Sequence, residues 1–272
     1  MTPEIHAIAV DLDGTLLNSE HILTPRCEAA LRAAMARGVR VIFATGKTAT
    51  SGLALARRLG LDTPGVYSQG LILADIDGTI RYQRVLDPEA ARIVTTYAEG
   101  HGYPIVAYSG MRILAESYNI QTDFMVAHHE PLAELVGPLS AIAGRVPINK
   151  LNMHIDGGEI AAVRAELAAR LGGRATLVQS LPVQLETLPP GASKGDGLRR
   201  LLADLSIDPR HVLAIGDGEN DLEMLQLAGI GVAMANAPAS VRAAADYVTA
   251  SNDEDGVALA VERFVLNSHP AP

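Results

Sequence analysis

Two pairs of aspartates with the same spacing occur in the chain: Asp11 and Asp13 in VDLDGTLL, and Asp75 and Asp77 in ADIDGTIR. The first pair directly follows the apolar run IHAIAV, which has the length of a buried strand. In an extended chain, residues two apart point the same way. Two converging carboxylates repel, so one of them needs a proton or a nearby cation. The first pair therefore predicts a site for a hard divalent cation.

The second pair has a different context, because GLILA and TIRYQRV on either side of it are typical of two short strands. Asp77 and Gly78 then form a two-residue hairpin turn, which requires positive φ at both positions. Asp75 falls on a solvated strand position. We expect Asp75 and Asp77 to have a structural role only.

A further acidic cluster lies in IGDGENDLEM, where Asp217 follows a buried strand and Asn220 and Asp221 lie close behind it. A helix N-terminus favours negative charge by only about 0.3–1 kcal/mol, too little to hold several carboxylates together. Mg²⁺ binds one or two carboxylates together with waters and a substrate phosphate. The cluster therefore favours a magnesium site.

Two short motifs are candidates for binding phosphate. FATGK ends a strand, and the Thr45 hydroxyl and the Gly46 amide at this strand-to-helix joint could hold a phosphate group. GASKGDGL places Lys194 just before a helix, where its ammonium could neutralise phosphate charge. Each motif taken alone has a simpler interpretation, since Thr45 and Gly46 could be an ordinary helix cap and Lys194 a solvated surface residue.

The elements that must position these residues alternate between strand and helix at both ends of the chain. IHAIAV, VRVIFA, HVLAIGD, GIGVAM and DYVT are predicted strands, and Thr24 followed by Pro25 marks the start of the first helix. Short joints between such elements predict an α/β fold with a doubly wound parallel sheet. Ligands bind such sheets at the carboxyl ends of the strands, where Asp11, Thr45 and Asp217 fall.

The middle of the chain predicts a second domain of α+β type, because longer extended stretches alternate there with helical ones. Roughly 150 residues separate Thr45 from Lys194, about 100 more than a sheet unit or two requires. We predict a core domain of residues 1–85 and 189–272 and an inserted cap domain of residues 86–188.

Composition restricts the class of protein. A hydrophobic content of 48% over 272 residues excludes a disordered chain, and the net charge of −9 argues against nucleic acid or a membrane surface as partner. The start MTPEIHAIAV has no basic segment, and no run approaches the roughly 18–20 apolar residues of a membrane span. We therefore expect a cytoplasmic protein.

The motifs DLDGT, ATG, SKG and GDGEND, in this order, resemble the four motifs of the haloacid dehalogenase-like hydrolase superfamily. GVAMANAP and ADYVTASNDEDGVA resemble its Cof-type phosphatase branch, as do INKLNM and LETLPPGASKG. This resemblance implies a Rossmann-like core with a C2-type cap. Two positions depart from the usual pattern: Lys47 replaces an arginine, and Ser68-Gln69-Gly70 replaces Asn-Gly-Ala.

The resemblance implies a magnesium-dependent phosphomonoester hydrolase. Asp11 would attack phosphorus and form an aspartyl-phosphate, and Asp13 would act as general acid and then as general base. The implied metal residues are Asp11, Asp217, the backbone carbonyl of Asp13, and Asp221 through a water. The implied phosphate-binding residues are Thr45, Gly46, Lys194 and Asn220.

Two other functions use the same residues. A phosphotransferase or phosphomutase would form the same aspartyl-phosphate and protect it from water, and a non-catalytic protein would only bind a phosphate ligand. For the hydrolase, the expected substrate is a small metabolite such as a sugar phosphate or a phosphorylated cofactor. The cap is expected to select the leaving group, and the oligomeric state stays open.

Overall fold

The computed structural model describes residues 4–156 and 158–267, so the first three residues of the sequence start lie outside it. The strands are, in chain order, β1 (Ala7–Val10), β2 (Arg40–Phe43), β3 (Gly65–Tyr67), β4 (Ile72–Ala74), β5 (Ile80–Gln83), β6 (Ile105–Ser109), β7 (Arg112–Ala115), β8 (Glu134–Leu135), β9 (Lys150–His154), β10 (Thr176–Leu181), β11 (Gln184–Leu188), β12 (Val212–Gly216), β13 (Ile230–Ala233) and β14 (Tyr247–Val248).

The helices are α1 (Pro25–Ala36), α2 (Ala49–Leu59), α3 (Pro88–His101), α4 (Ile120–Ala127), α5 (Leu139–Ile142), α6 (Ile160–Leu171), α7 (Lys194–Asp204), α8 (Leu222–Leu227), α9 (Ala239–Ala244) and α10 (Gly256–Val261). Short 3-10 turns occur at Ser68–Gly70, Pro209–His211, Glu219–Asp221 and Asn252–Glu254, and a π-helical turn at Glu262–Leu266. Among the described residues, no helix combines the length and the apolar character that crossing a membrane requires.

The described chain forms two compact units. The first comprises the described residues of Met1–Gly46, Gly52–Arg81 and Ser193–Pro272, and the second those of Lys47–Ser51 and Tyr82–Ala192. The predicted domain boundaries, with a core of residues 1–85 and 189–272 and a cap of residues 86–188, stay a prediction.

The first unit is built on a parallel sheet in the order β14-β13-β12-β1-β2. Strand β1 lies between β12 and β2, with Ala7 paired to Val212 on one side and to Arg40 on the other. All four residues of β1 are buried, as is typical of a central parallel strand covered on both faces. The chain extends the sheet first to one side of β1 and later to the other, which confirms the predicted doubly wound α/β fold.

Helix α1 begins where the sequence predicts it. The Thr24 side chain accepts a hydrogen bond from the Cys27 amide at 3.2 Å, and Pro25 occupies the first helical position. The Thr24 hydroxyl also donates to Asp255 Oδ1 at 2.6 Å. Leu31 is fully buried in the apolar core beneath the helix, and burying such a side chain contributes about 1.5–3 kcal/mol.

The second aspartate pair lies in a hairpin between β4 and β5, but the predicted two-residue turn is wrong. The Asp75 amide donates to Thr79 O at 2.9 Å, and the Gly78 amide donates to Asp75 O at 2.9 Å. Among the residues of this turn only Gly78 has positive φ, at 97°. A type I turn followed by a left-handed glycine explains this geometry, with Asp77 accepting from the Thr79 amide at 2.8 Å.

The second unit contains a six-stranded sheet in the order β10-β11-β9-β6-β7-β8, antiparallel except between β7 and β8. Apolar side chains of α3 and α6, among them Val94, Val163 and Leu167, pack with sheet residues such as Leu151 and Leu185 in one buried cluster. Helices packed on a mostly antiparallel sheet are the α+β arrangement predicted for the middle of the chain.

Replacing Thr24 with alanine tests the cap of α1. We expect Thr24→Ala to lower the free energy of unfolding of the first unit by about 1–2 kcal/mol, because the Cys27 amide and the Asp255 carboxylate both lose a partner. Urea denaturation followed by far-ultraviolet circular dichroism measures the change. Thr24→Ser keeps the hydroxyl and serves as control. Equal stability of the alanine and serine variants would contradict the assignment.

Candidate active site

Asp11 directly follows β1 at the carboxyl edge of the parallel sheet. Its backbone amide donates to Ile215 O of β12 at 3.1 Å, and only 5% of the residue is exposed. The chain then turns sharply at Gly14, where φ is 77°. A Cβ at Gly14 would come within 2.5 Å of Asp217 Oδ2, so glycine allows the loop after β1 to approach Asp217.

Lys194 is the first residue of α7, and it is buried between two carboxylates. Its Nζ donates to Asp11 Oδ1 at 2.7 Å and to Asp221 Oδ1 at 2.8 Å, and only 1% of the residue is exposed. Burial works against its charge, but the carboxylates of Asp11 and Asp221 outweigh this and raise the pKa of Lys194. The alternative that Lys194 is a solvated surface residue is therefore wrong.

Burial also changes the titration of the carboxylates. Loss of hydration raises the pKa of Asp11 to about 8, with further contributions from the negative charges of Asp221 and Asp217, although Lys194 acts in the opposite direction. The pKa of Asp217 is also raised, mainly by burial. The ionised forms of both groups therefore need more positive charge than Lys194 provides.

Asp221 is fully buried at the end of the 3-10 turn Glu219–Asp221. Its Oδ2 accepts from the amides of Asp217 at 3.0 Å and Gly218 at 2.9 Å, while its Oδ1 accepts from Lys194. Asp221 therefore shapes the loop after β12 and holds Lys194 in place.

The carboxylates of Asp11, Asp217 and Asp221 form a group that fits a metal ion. One oxygen from each lies within 4.8 Å of the others. Thr15 Oγ1 orients Asp217 by donating to its Oδ1 at 2.8 Å. Several anionic oxygens at this spacing suit the hard cation Mg²⁺, and a cation would favour the ionised carboxylates, whose pKa values are raised by burial and by their mutual repulsion. The Asp13 side chain is not a member of this group among the described residues.

Asp13 lies beside the carboxylate group with a half-exposed side chain. Its Oδ1 is 3.2 Å from Nδ1 of His21. His21 has a φ of 58°, in the left-handed region, and its amide donates to Asn18 O at 2.9 Å. The sequence prediction missed His21, because a single histidine in a polar loop carries no distinguishing pattern.

The predicted phosphate-binding residues lie on neighbouring elements of the first unit. Thr45 is buried just after β2, and its amide donates to Val66 O at 2.9 Å. Asn220 is exposed, and its Nδ2 donates to Oε1 of Gln69 at 3.1 Å. The Nε2 of Gln69 lies 2.9 Å from the position that a Cβ would occupy on Gly46. Gln69 is thus a second residue of this region that the sequence did not assign to the site.

A residue that follows β13 supports the site. Asn236 Nδ2 donates to Gly14 O at 2.8 Å and so supports the loop that carries Asp13. Only the resemblance carried by GVAMANAP pointed to this segment.

Lys47 belongs to the second unit, where its Nζ donates to His128 O at 2.6 Å. This contact gives Lys47 a structural role within that unit.

The site places carboxylates around a buried lysine, beside hydroxyl and amide donors, at the carboxyl edge of a parallel sheet. This arrangement suits an α/β protein for phosphate chemistry. A family model described as haloacid dehalogenase-like hydrolase matches residues 8–261. The chain belongs to this family, as its motifs predicted.

Two curated relatives match nearly the whole chain. Phosphatase YwpJ of Bacillus subtilis is 30% identical over 275 residues, covering 92% of this chain and 96% of its own length. A chloroplastic protein of Arabidopsis thaliana named endoribonuclease YBEY is 36% identical over 275 residues, covering 97% of this chain. The chain spans only 47% of that longer protein, and the activity in the name is that of the longer protein.

Solved structures show the same fold. A haloacid dehalogenase-like hydrolase from Bacteroides thetaiotaomicron superimposes with a TM-score of 0.87 at 32% identity, covering 96% of this chain and 99% of its own. The subclass IIB sugar phosphatase BT4131 gives a TM-score of 0.82 at 26% identity, covering 95% and 98%. These relatives confirm the Cof-type assignment, and the protein is a phosphoric monoester hydrolase.

Adding Mg²⁺ should stabilise the protein through the carboxylate group. At about 100 times its dissociation constant, a ligand of the folded state raises the free energy of unfolding by about 2.7 kcal/mol. We expect Asp217→Asn to abolish this gain without lowering the stability of the metal-free protein, because it removes a repelling charge. Thermal unfolding with Mg²⁺ or with a chelator measures both, and Asp77→Asn is the control. An undiminished gain in Asp217→Asn would refute the assignment.

The raised carboxyl pKa values predict how the stability of the metal-free protein depends on pH. The folded state keeps the Asp11 proton up to about pH 8, whereas the ordinary value for the carboxyl group is 3.8. The free energy of unfolding should therefore fall as pH rises between these values, since the folded state binds more protons there. Urea denaturation with a chelator at several pH values measures the slope. Asp11→Asn should flatten it, and an unchanged slope would contradict the cause.

Proposed function

We propose that the protein hydrolyses the phosphomonoester of a small metabolite with Mg²⁺, through an aspartyl-phosphate on Asp11. The observation that carries the proposal is the position of the Asp11 carboxylate. Lys194 holds its Oδ1 at 2.7 Å, and among the described residues no hydrogen-bond donor engages its Oδ2. A buried carboxylate with one oxygen anchored and the other unengaged suits in-line attack on phosphorus.

In the first half-reaction, an Asp11 oxygen forms a bond to phosphorus as the bond from phosphorus to the ester oxygen breaks. Asp13, beside His21, gives its proton to the departing oxygen. In the second half-reaction, water attacks phosphorus and gives a proton to Asp13 as the bond from phosphorus to the Asp11 oxygen breaks. Inorganic phosphate is released and the Asp11 carboxylate is restored. Asp13 thus acts as acid and then as base, and its half-exposed carboxyl group suits both exchanges.

Donors around the strand ends bind the phosphoryl oxygens in this proposal. The Thr45 hydroxyl, the Gly46 amide, the Asn220 side chain and the Lys194 ammonium are of the required type. Fixed donors of this kind account for much of the rate enhancement of phosphoryl transfer, because they stabilise charge that develops in the transition state.

Mg²⁺ would be held by the Asp11 and Asp217 carboxylates and the Asp13 backbone carbonyl, with Asp221 acting through a water. Bound there, it would neutralise the charges of phosphate and nucleophile. The arrangement of the carboxylates supports this assignment, since one oxygen each from Asp11, Asp217 and Asp221 lie within 4.8 Å of one another.

The substrate class proposed first is a sugar phosphate. The similarity to the sugar phosphatase BT4131 over 95% of this chain supports it. A phosphorylated cofactor is the second class. Substrate selection is assigned to the proposed cap, residues 86–188, because family members that share a core chemistry differ in what they accept.

Phosphate release from a panel of sugar phosphates and phosphorylated cofactors tests the function. We expect Mg²⁺-dependent release by the wild type, loss to background in Asp11→Asn, and a decrease in kcat of about 10²–10⁴-fold in Asp13→Asn. Asp77→Asn is the matched control, because it changes the corresponding residue of the second pair and should keep wild-type activity.

Two outcomes would favour the other functions. Transfer of phosphate to an added alcohol or to a second site on the substrate, in excess over hydrolysis, would indicate a transferase or mutase. Absence of turnover with every ester, in a folded protein that binds Mg²⁺, would indicate a phosphate-binding protein.

A further inference from the structure

The turn Ser68–Gly70 has an unusual backbone. Three successive residues have positive φ, at 49° for Ser68, 61° for Gln69 and 85° for Gly70. Glycine adopts this region freely, but serine and glutamine do so only at a cost in conformational energy. Strain of this kind persists where the surrounding structure imposes it, and it is concentrated at functional sites.

Contacts with two elements of the site hold the turn in this conformation. The Gln69 amide donates to Thr45 O at 3.1 Å, which fixes the turn to the end of β2. Gly70 packs against the start of α7, where a Cβ on Gly70 would come within 2.0 Å of Ser193 O. The turn is therefore fixed between Thr45 and the residue that precedes Lys194.

The Gln69 side chain projects from this turn among the predicted phosphate-binding groups. Its Oε1 accepts from Asn220 Nδ2 at 3.1 Å, and its Nε2 lies beside the Cα of Gly46. With the carbonyl end engaged by Asn220, the amide end presents N–H donors near Gly46. Phosphoryl oxygens accept hydrogen bonds, so a donor at this position can bind them directly.

We propose that Gln69 is a phosphate-binding residue of this enzyme, whose carbonyl orients the Asn220 amide and whose Nε2 donates to a phosphoryl oxygen beside the Gly46 amide. This proposal rests on the proposed function for the position of the phosphate. It explains why a glutamine occupies a left-handed position: its side chain supplies a donor that glycine lacks.

Three variants of the full-length, Mg²⁺-loaded protein separate the side chain from the backbone strain. Gln69→Gly relieves the left-handed strain and removes the amide. Gln69→Glu keeps the size and the acceptor for Asn220 but replaces the donor with an anionic oxygen. Ser68→Gly is the matched control, because it relieves strain in the same turn and removes a hydroxyl that has no partner among the described residues.

Binding of inorganic phosphate, measured by calorimetry, is the readout, with its competitive inhibition of turnover as a second measure. We expect Gln69→Gly and Gln69→Glu to weaken phosphate binding by at least about 10-fold, because both lose a hydrogen bond to a charged group. The loss should be larger in Gln69→Glu, because its carboxylate also repels the phosphate. Gln69→Gly should unfold at the same temperature as wild type or higher. Ser68→Gly should keep wild-type phosphate binding.

Wild-type phosphate affinity in Gln69→Glu would overturn the proposal, since the donor would then be dispensable. Equal losses in Ser68→Gly and Gln69→Gly would also overturn it and assign the effect to the backbone of the turn. Because calorimetry needs no turnover, the test stays valid if the wild type hydrolyses no ester, an outcome that would refute the proposed hydrolysis alone.

Discussion

The buried ammonium of Lys194 is the interaction on which the site depends. It lies within hydrogen-bond distance of Asp11 and Asp221, and all three residues are almost wholly removed from water. Burying a charge is costly unless it is paired, so each of these residues makes the burial of the others possible. Because they come from the end of β1, the start of α7 and the turn after β12, this charge network ties together segments that are far apart in sequence.

Bringing these backbone segments so close leaves little room for side chains between them. A Cβ on Gly14 would meet the Asp217 carboxylate at 2.5 Å, and a Cβ on Gly197 would meet the Cα of Gly70 at 2.6 Å. The glycine-rich appearance of GASKGDGL therefore follows from packing: α7 must lie against the turn at Gly70 for Lys194 to reach Asp11. The same closeness requires strain at Gln69, which glycine would avoid.

Features that depend on interactions between neighbours in the chain could be predicted from the sequence, and features that depend on contacts between distant segments could not. The parallel strands and the start of α1 were predictable, because apolar runs and the Thr24 cap are local signals. The burial of Lys194 depends on carboxylates far away in the chain, so the local sequence could not distinguish it from a surface lysine. The contact of Gln69 with Asn220 is long-range in the same sense. His21 is only eight residues from Asp13, but a single histidine in a polar loop carries no pattern that predicts their contact.

The two aspartate pairs show how context decides the chemistry of identical residues. Asp11 ends a central parallel strand, where burial and neighbouring carboxylates raise its pKa to about 8 despite Lys194. Asp77 lies in an exposed hairpin, where the hydrogen bond from the Thr79 amide lowers its pKa. Asp75 pairs with Arg81 at 2.7 Å. The carboxylates of the second pair are therefore already stabilised by local partners, whereas Asp11 in the first pair needs a further cation to stabilise its ionised form. This difference comes from the position of each pair relative to the sheet and not from the shared motif.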